Sequence, residues 1–213
     1  MSILITGANR GIGHQLMLDY QAEGRSVIGT SRSGGDYLPL EVTDLASHAA
    51  LAETLKGKPI DLLVCNAGVY LDTAETLGAG YPADMWAQTF AVNVAGVFMT
   101  IQSLMPNIRA AKGKIAIISS EMASHEHAPG GSYIYRASKA AVLNVGRNLA
   151  TDLRAEGIAV GIYVPGWVKT DMGGEDAVLD VETASKGLIA QFDALDMRTS
   201  GHFLTWEGQQ HPF

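Results

Sequence analysis

Tyr135 and Lys139 stand four residues apart in Tyr135-Arg136-Ala137-Ser138-Lys139, a spacing that puts a phenol and an ammonium on one face of a helix. A neighbouring ammonium favours the phenolate and is expected to draw the tyrosine pKa down from about 10. A phenol so tuned can exchange a proton with a carbonyl or alcohol oxygen, which is general acid-base chemistry. Most Tyr/Lys pairs at this spacing are surface pairs of an amphipathic helix, so the assignment depends on what else the chain brings to the same place. Ser119-Ser120 follow the apolar run Lys114 to Ile118, where a strand-end hydroxyl can hydrogen-bond a substrate oxygen as charge develops on it. Asn93 lies well inside a long helical stretch, where asparagine is a mediocre helix former and must be explained by its hydrogen bonds. A water connecting to Lys139 is one such partner.

A second constellation begins with Thr6-Gly7-Ala8-Asn9-Arg10-Gly11-Ile12-Gly13, between a short apolar run and a helix-competent stretch. Three glycines there let the backbone turn sharply and approach a pyrophosphate at a helix N-terminus. Val27-Ile28-Gly29-Thr30 leads to Ser31-Arg32, about 20 residues beyond the loop, where a dinucleotide fold normally holds the adenosine ribose with an acid. Here that acid is absent. Ser31 can hydrogen-bond a 2′-phosphate, Arg32 can pair with it through a planar fork, and Arg10 adds a second positive charge. The expected cofactor is therefore NADPH rather than NADH. Asn66-Ala67-Gly68 leaves the apolar run Leu62 to Cys65 through a small, open turn, against which a cofactor ribose can lie.

These residues need a scaffold that gathers strand ends at one edge. Short β-branched or aliphatic runs recur at Ser2 to Ile5, Ser26 to Thr30, Ile60 to Cys65, Lys114 to Ser119 and Ile158 to Val164, with Phe203 to Trp206 as a last one. Helix-competent stretches lie between them at Gly13 to Gln21, Leu45 to Leu55, Pro82 to Ala111, Tyr133 to Glu156 and Val181 to Leu195. That alternation predicts an α/β fold with a parallel sheet, and apolar residues at successive positions predict strands covered on both faces.

Composition bounds the function. The 213 residues, 47% apolar and 17% charged, suit one domain with a substantial core. A net charge of -7 opposes binding to nucleic acid or an anionic membrane. The single cysteine, Cys65, excludes an internal disulfide and a multi-thiolate metal site, and suits a reducing, cytoplasmic setting. The opening Met1 to Gly7 has neither a basic region nor a long apolar run, so no signal peptide or membrane span is expected there. His125, Glu126 and His127 lack a further ligand nearby and read as a solvated loop, so no metal is expected. Cys65 reads as a small buried hydrophobe, and Trp167 as either a cofactor-pocket wall or packing under its own loop.

Taken in order, the glycine loop, Asn66-Ala67-Gly68, Asn93, the strand-end serine, Tyr135 with Lys139, and Pro165-Gly166-Trp167-Val168-Lys169-Thr170 make the sequence resemble the short-chain dehydrogenase/reductase family over nearly its whole length. Gly130 to Arg136, Pro165 to Gly174 and Ser200 to Phe203 are similar to its C-factor and sniffer-type carbonyl reductase subgroup. The resemblance implies a single-domain Rossmann fold, a doubly wound parallel sheet of order 3-2-1-4-5-6-7 flanked by helices. It implies Asn93, Ser120, Tyr135 and Lys139 as the catalytic set. Tyr135 would be the acid/base, and Lys139 would hold the nicotinamide ribose and lower the tyrosine pKa. Ser120 would orient the carbonyl, and Asn93 would position a relay water. Thr170 and the Val168 backbone, in the segment opened by Pro165 and Gly166, would grip the carboxamide. Gly7, Asn9, Arg10, Gly11, Ile12 and Gly13 would cradle the phosphates, and the Val42 backbone would meet the adenine beside Glu41, where many relatives carry Asp.

Ser120 lies 15 residues before Tyr135, two more than the commonest family spacing, which leaves Ser119 and Ser124 as alternatives for the substrate-orienting hydroxyl. Met172 to Val181 is a short bridge where larger relatives carry a helical lid, so an open pocket is expected. The implied reaction is NADPH-dependent hydride transfer to a small aldehyde or ketone, or its reversal on an alcohol. The contrasting reading is a dinucleotide-binding signalling or redox-sensing protein with little turnover. The two longest helical stretches resemble the pair through which family members associate, which implies a homodimer or homotetramer.

Overall fold

A computed structural model describes all residues, 1–213. Seven strands, β1 (Ser2–Ile5), β2 (Ser26–Ser31), β3 (Leu38–Pro39), β4 (Leu62–Cys65), β5 (Lys114–Ile118), β6 (Val160–Val164) and β7 (Phe203–Thr205), form one sheet in the order β3-β2-β1-β4-β5-β6-β7. Every neighbouring pair is parallel. Six helices flank it: α1 (Gly11–Ala22), α2 (Leu45–Thr54), α3 (Ala83–Phe90), α4 (Gly96–Ala111), α5 (Tyr133–Asp152) and α6 (Val181–Ala194). The result is a single-domain, doubly wound Rossmann-like fold.

The unbroken apolar runs are explained by helices on both faces. Leu4, Leu63, Ile115, Ile117 and Val160 pack under α2, α4 and α5 through Leu51, Ile101, Leu104 and Val142. Their strand neighbours Ile3, Ile5, Leu62, Val64 and Ala116 turn to the opposite face, where Leu16 and Tyr20 of α1 meet Leu188 and Phe192 of α6. The edge strand β3 has only two residues, Leu38 and Pro39. No apolar run marks it, and its proline is tolerated because an edge strand has no ladder bond to lose on its outer side.

The stretch from Pro82 to Ala111 departs from a plain helix. Between α3 and α4 a π turn, Ala91–Ala95, widens the rod and places buried Asn93 at its centre, the kind of local bulge that re-aims a side chain. Ala83–Ala111 is long and apolar enough, at a mean hydropathy of 1.3, to cross a membrane by length alone. Its apolar face, however, is spent inside the protein, where Val97, Ile101, Leu104 and Ile108 belong to the core. The α5 helix gives way after Asp152 to the 3₁₀ turn Leu153–Glu156, which stops at Gly157 in the left-handed region. Between β6 and α6, residues Met172 to Asp180 make turns and one bridge but no helix. That segment is pinned back by the Lys169 amide donating to the Leu179 carbonyl at 2.8 Å.

Candidate active site

Parallel strands present all their C-terminal ends at one edge, and the crevice opens where the chain reverses its winding direction, between β1 and β4. A cavity of about 580 Å³ lies there, walled by the segments that follow β1, β2, β4, β5 and β6. At one end, Gly7, Asn9, Arg10, Gly11 and Ile12 line it. Arg10 stands at the N-cap of α1 without a side-chain cap bond, and the first turn holds no acid, so its amide donors are free to meet an anion. Gly7 has φ +65°, and a Cβ there would sit 3.0 Å from Ala67 Cα. Gly13 does not line the cavity. A side chain there would collide with the Gly7 carbonyl oxygen, so this glycine serves the close approach of α1 to the turn.

Farther along the wall come Ser31, exposed Arg32, and Val42. The Ser31 hydroxyl donates to the Gly34 carbonyl at 3.1 Å, which fixes it at the end of β2. Arg10 forms an ion pair with Asp171 at 3.1 Å across the cavity mouth, a contact absent from the reading of local spacing. Glu41 turns back to accept the Thr43 amide at 3.1 Å and its hydroxyl at 2.9 Å. The Val42 carbonyl meets His48 Nε2 at 3.0 Å. Cationic side chains, free amides and a glycine cradle therefore fit the phosphates of a dinucleotide.

The segment Asn66 to Asp72, after β4, ties the two halves together. Thr6 Oγ1 accepts the Asn66 and Ala67 amides, both at 3.0 Å, and Asn66 Nδ2 donates to the Thr6 and Gly7 carbonyls at 3.0 and 3.1 Å. One step on, Asn93 Oδ1 accepts the Val69 amide at 2.8 Å, while its Nδ2 donates to the Val69 carbonyl at 2.9 Å and to Ser138 Oγ at 3.0 Å. Both Nδ2 protons of Asn93 are thus taken by protein partners, while Oδ1, with one donor, keeps a second lone pair. The observed work of this side chain is to bolt the π turn to the segment after β4.

At the chemical end, Tyr135 and Lys139 point from the first turns of α5 into the cavity beside Ser119 and Pro165. The structure separates the three serines. Ser119 Oγ donates to the Lys139 carbonyl at 3.0 Å, and Ser124 Oγ donates to the Phe213 carbonyl at 3.3 Å. Ser120 accepts the Met122 amide at 3.2 Å and is the one of the three whose hydroxyl acts to lower the Tyr135 pKa. Lys139 Nζ donates to the Ile118 carbonyl at 3.0 Å and lies 5.6 Å from the centre of the Tyr135 ring.

Burial decides the electrostatics. It holds the Tyr135 phenol above its ordinary pKa, with Tyr70, Asp72 and Glu121 pushing the same way and the Ser120 hydrogen bond opposing them. Burial also draws Lys139 down to about 8. Loss of solvent thus places the phenol above the range expected beside an ammonium, and the Lys139 ammonium is itself bonded to the Ile118 carbonyl. Thr170 lines the cavity, whereas Gly166 and buried Val168 support it from behind. Trp167 is exposed and donates to the Gly173 carbonyl at 2.7 Å, so it braces its own loop instead of walling the cavity. Cys65 is buried, and desolvation pushes its thiol up to about 12, consistent with an inert side chain. No cluster of metal-ligating side chains occurs.

Thr6, Tyr70, Asp72 and Asp171 complete the neighbourhood and were not singled out by local spacing. Asp72 left one trace in the sequence, an acid in an otherwise uncharged stretch from Asn66 to Thr73.

A family model described as "short chain dehydrogenase" matches residues 1–177. Among characterised proteins, the C-signal of Myxococcus xanthus is 37% identical over 166 residues, covering 77% of this chain and 99% of that protein. Among solved structures, the NADPH-bound carbonyl reductase from chicken fatty liver superposes with a TM-score of 0.90 at 30% identity, over 100% of this chain and 98% of the other. The carbonyl reductase Sniffer of D. melanogaster superposes at 0.91 with 25% identity, over 100% and 99%.

Proposed function

Because this chain belongs to the short-chain dehydrogenase family, and so is an oxidoreductase, we propose that it is an NADPH-dependent carbonyl reductase acting on a small aldehyde or ketone. The observation that carries this reading is one cavity with two chemistries: Tyr135 and Lys139 at one end, Arg10, Ser31 and Arg32 at the other. The similarity to an NADPH-bound carbonyl reductase supports it.

A bound nicotinamide dinucleotide supplies the hydride. The Tyr135 phenol, kept protonated by burial, gives its proton to the carbonyl oxygen, while the Ser120 hydroxyl hydrogen-bonds that oxygen and orients it. The Lys139 ammonium stabilises the phenolate left behind, and with a pKa near 8 it is charged at neutral pH. Asn93, through Val69 and Ser138, holds α4, the segment after β4 and α5 in one register. Met172 to Asp180, being turns only, leaves the substrate side open, which suits small or varied carbonyl compounds.

The test is cofactor oxidation with NADPH beside NADH on a panel of small aldehydes, quinones and α-diketones. Turnover that prefers NADPH and falls by about 10²- to 10⁴-fold in Tyr135→Phe, with cofactor binding retained, is the expected result. Tight NADPH binding without turnover on any of them would instead favour the second reading, a dinucleotide-binding signalling protein, which the similarity to the C-signal protein supports.

A further inference from the structure

Helix α5 begins without a cap of its own. Ser132 occupies the position where a serine usually accepts an amide of the first turn, yet its backbone is left-handed at φ +47° and its side chain makes no capping bond. Its hydroxyl pairs with the Tyr70 phenol instead. The vacant task is taken by a residue more than sixty positions away in the chain. Asp72, only 1% exposed, accepts the Ile134 amide at 2.8 Å and the Tyr135 amide at 3.2 and 3.3 Å. These are the second and third amides of the helix, the donors that a local cap would satisfy, and a carboxylate there also complements the positive end of the helix.

One further contact brings the same segment against Tyr135 itself, and another anchors it to the π turn. The Tyr70 and Tyr135 rings stack at 4.1 Å and 21°, and Val69 is tied to Asn93. The backbone from Val69 to Asp72 is therefore fixed at the π turn and holds Tyr135 by its ring and by its amide. We propose that Asp72 is the positioning residue of Tyr135: its buried carboxylate replaces the missing cap of α5 and, through the Ile134 and Tyr135 amides, sets where the phenol points. The ionisable groups facing that phenol are Tyr70 and Asp72 from this segment, Glu121 from the turn after β5, and Lys139 from α5. Tyr81 is the further ionisable group that feels the Asp72 charge.

The kinetic arm of the test rests on the carbonyl reductase reading, and a spectroscopic arm does not. In the full chain carrying ¹³C-labelled tyrosine rings, the Tyr135 resonance is assigned by its loss in Tyr135→Phe. Asp72→Ala is expected to move or broaden that resonance and to lower kcat by about a hundredfold, the scale of a misplacement near 1 Å, with NADPH affinity unchanged. Asp72→Asn retains one oxygen acceptor for the amides, so it should restore the resonance and most of kcat. Having lost a negative charge beside the phenol, it should also move the high-pH fall of reduction to lower pH.

An unmoved Tyr135 resonance in Asp72→Ala overturns the proposal. So does a loss of kcat that merely parallels lost cofactor affinity and Tm, with an unshifted pH profile in Asp72→Asn. Should the alanine variant fail to fold, the pH profile and resonance of the asparagine variant decide alone. Absence of wild-type turnover would sink the reductase reading while the resonance still decides the role of Asp72.

Discussion

Lys139 is an ammonium removed from water and left with one fixed acceptor, the Ile118 carbonyl at 3.0 Å. Its pKa of about 8 against an ordinary 10.5 means that the native state sheds a proton the unfolded chain retains. The cost to stability is therefore fully present below pH 8 and is relieved as pH rises from about 8 towards the unfolded value. The gap corresponds to about 3 kcal/mol. Lys139→Met should raise Tm at neutral pH, with the gain shrinking above pH 8, while turnover falls sharply. Thermal unfolding measured across pH, beside the turnover assay, checks both signs. A site residue whose removal stabilises the fold is one retained for its chemistry.

At the scale of elements, the long helical stretch was legible from its apolar periodicity, but the π turn at its centre was not. A bulge of one residue leaves the composition of the stretch unchanged. What reveals it is the three hydrogen bonds that Asn93 makes to Val69 and Ser138. Asn93→Ala would strand the Val69 amide and carbonyl, costing about 2 to 4 kcal/mol. The expected signature is a lower denaturation midpoint together with faster hydrogen exchange at the Val69 amide. Loss of midpoint without change at Val69 would place the effect elsewhere in the rod. The start of α5 carries the same lesson: Ser132 looks like a local cap, yet the φ of +47° turns it away and Asp72 supplies the bond.

For the whole molecule, the two-faced packing of the sheet accounts for one flank of each helix and leaves the other outward. Phe98, on α4, is 42% exposed, a large apolar side chain facing solvent in a single chain. We expect it to lie between copies of this chain, in a homodimer joined through α4 and α5. Light scattering should give twice the chain mass or more, and Phe98→Arg should return it towards one chain. A wild-type protein of single-chain mass would refute the association.

The sequence by itself determined what depends on local order: the alternation of strands and helices, the glycine loop after β1, the arginine after β2 in place of an acid, and the Tyr135/Lys139 pair. Periodicity, glycine steric freedom and four-residue helical spacing act over a few neighbours, so they can be read along the chain. The tertiary structure alone decided that Ser119 and Ser124 donate to main-chain carbonyls, where α5 finds its cap, that Arg10 pairs with Asp171, and that burial holds Tyr135 above its ordinary pKa. Each of these depends on groups far apart in sequence meeting in space, and on how much water their meeting excludes.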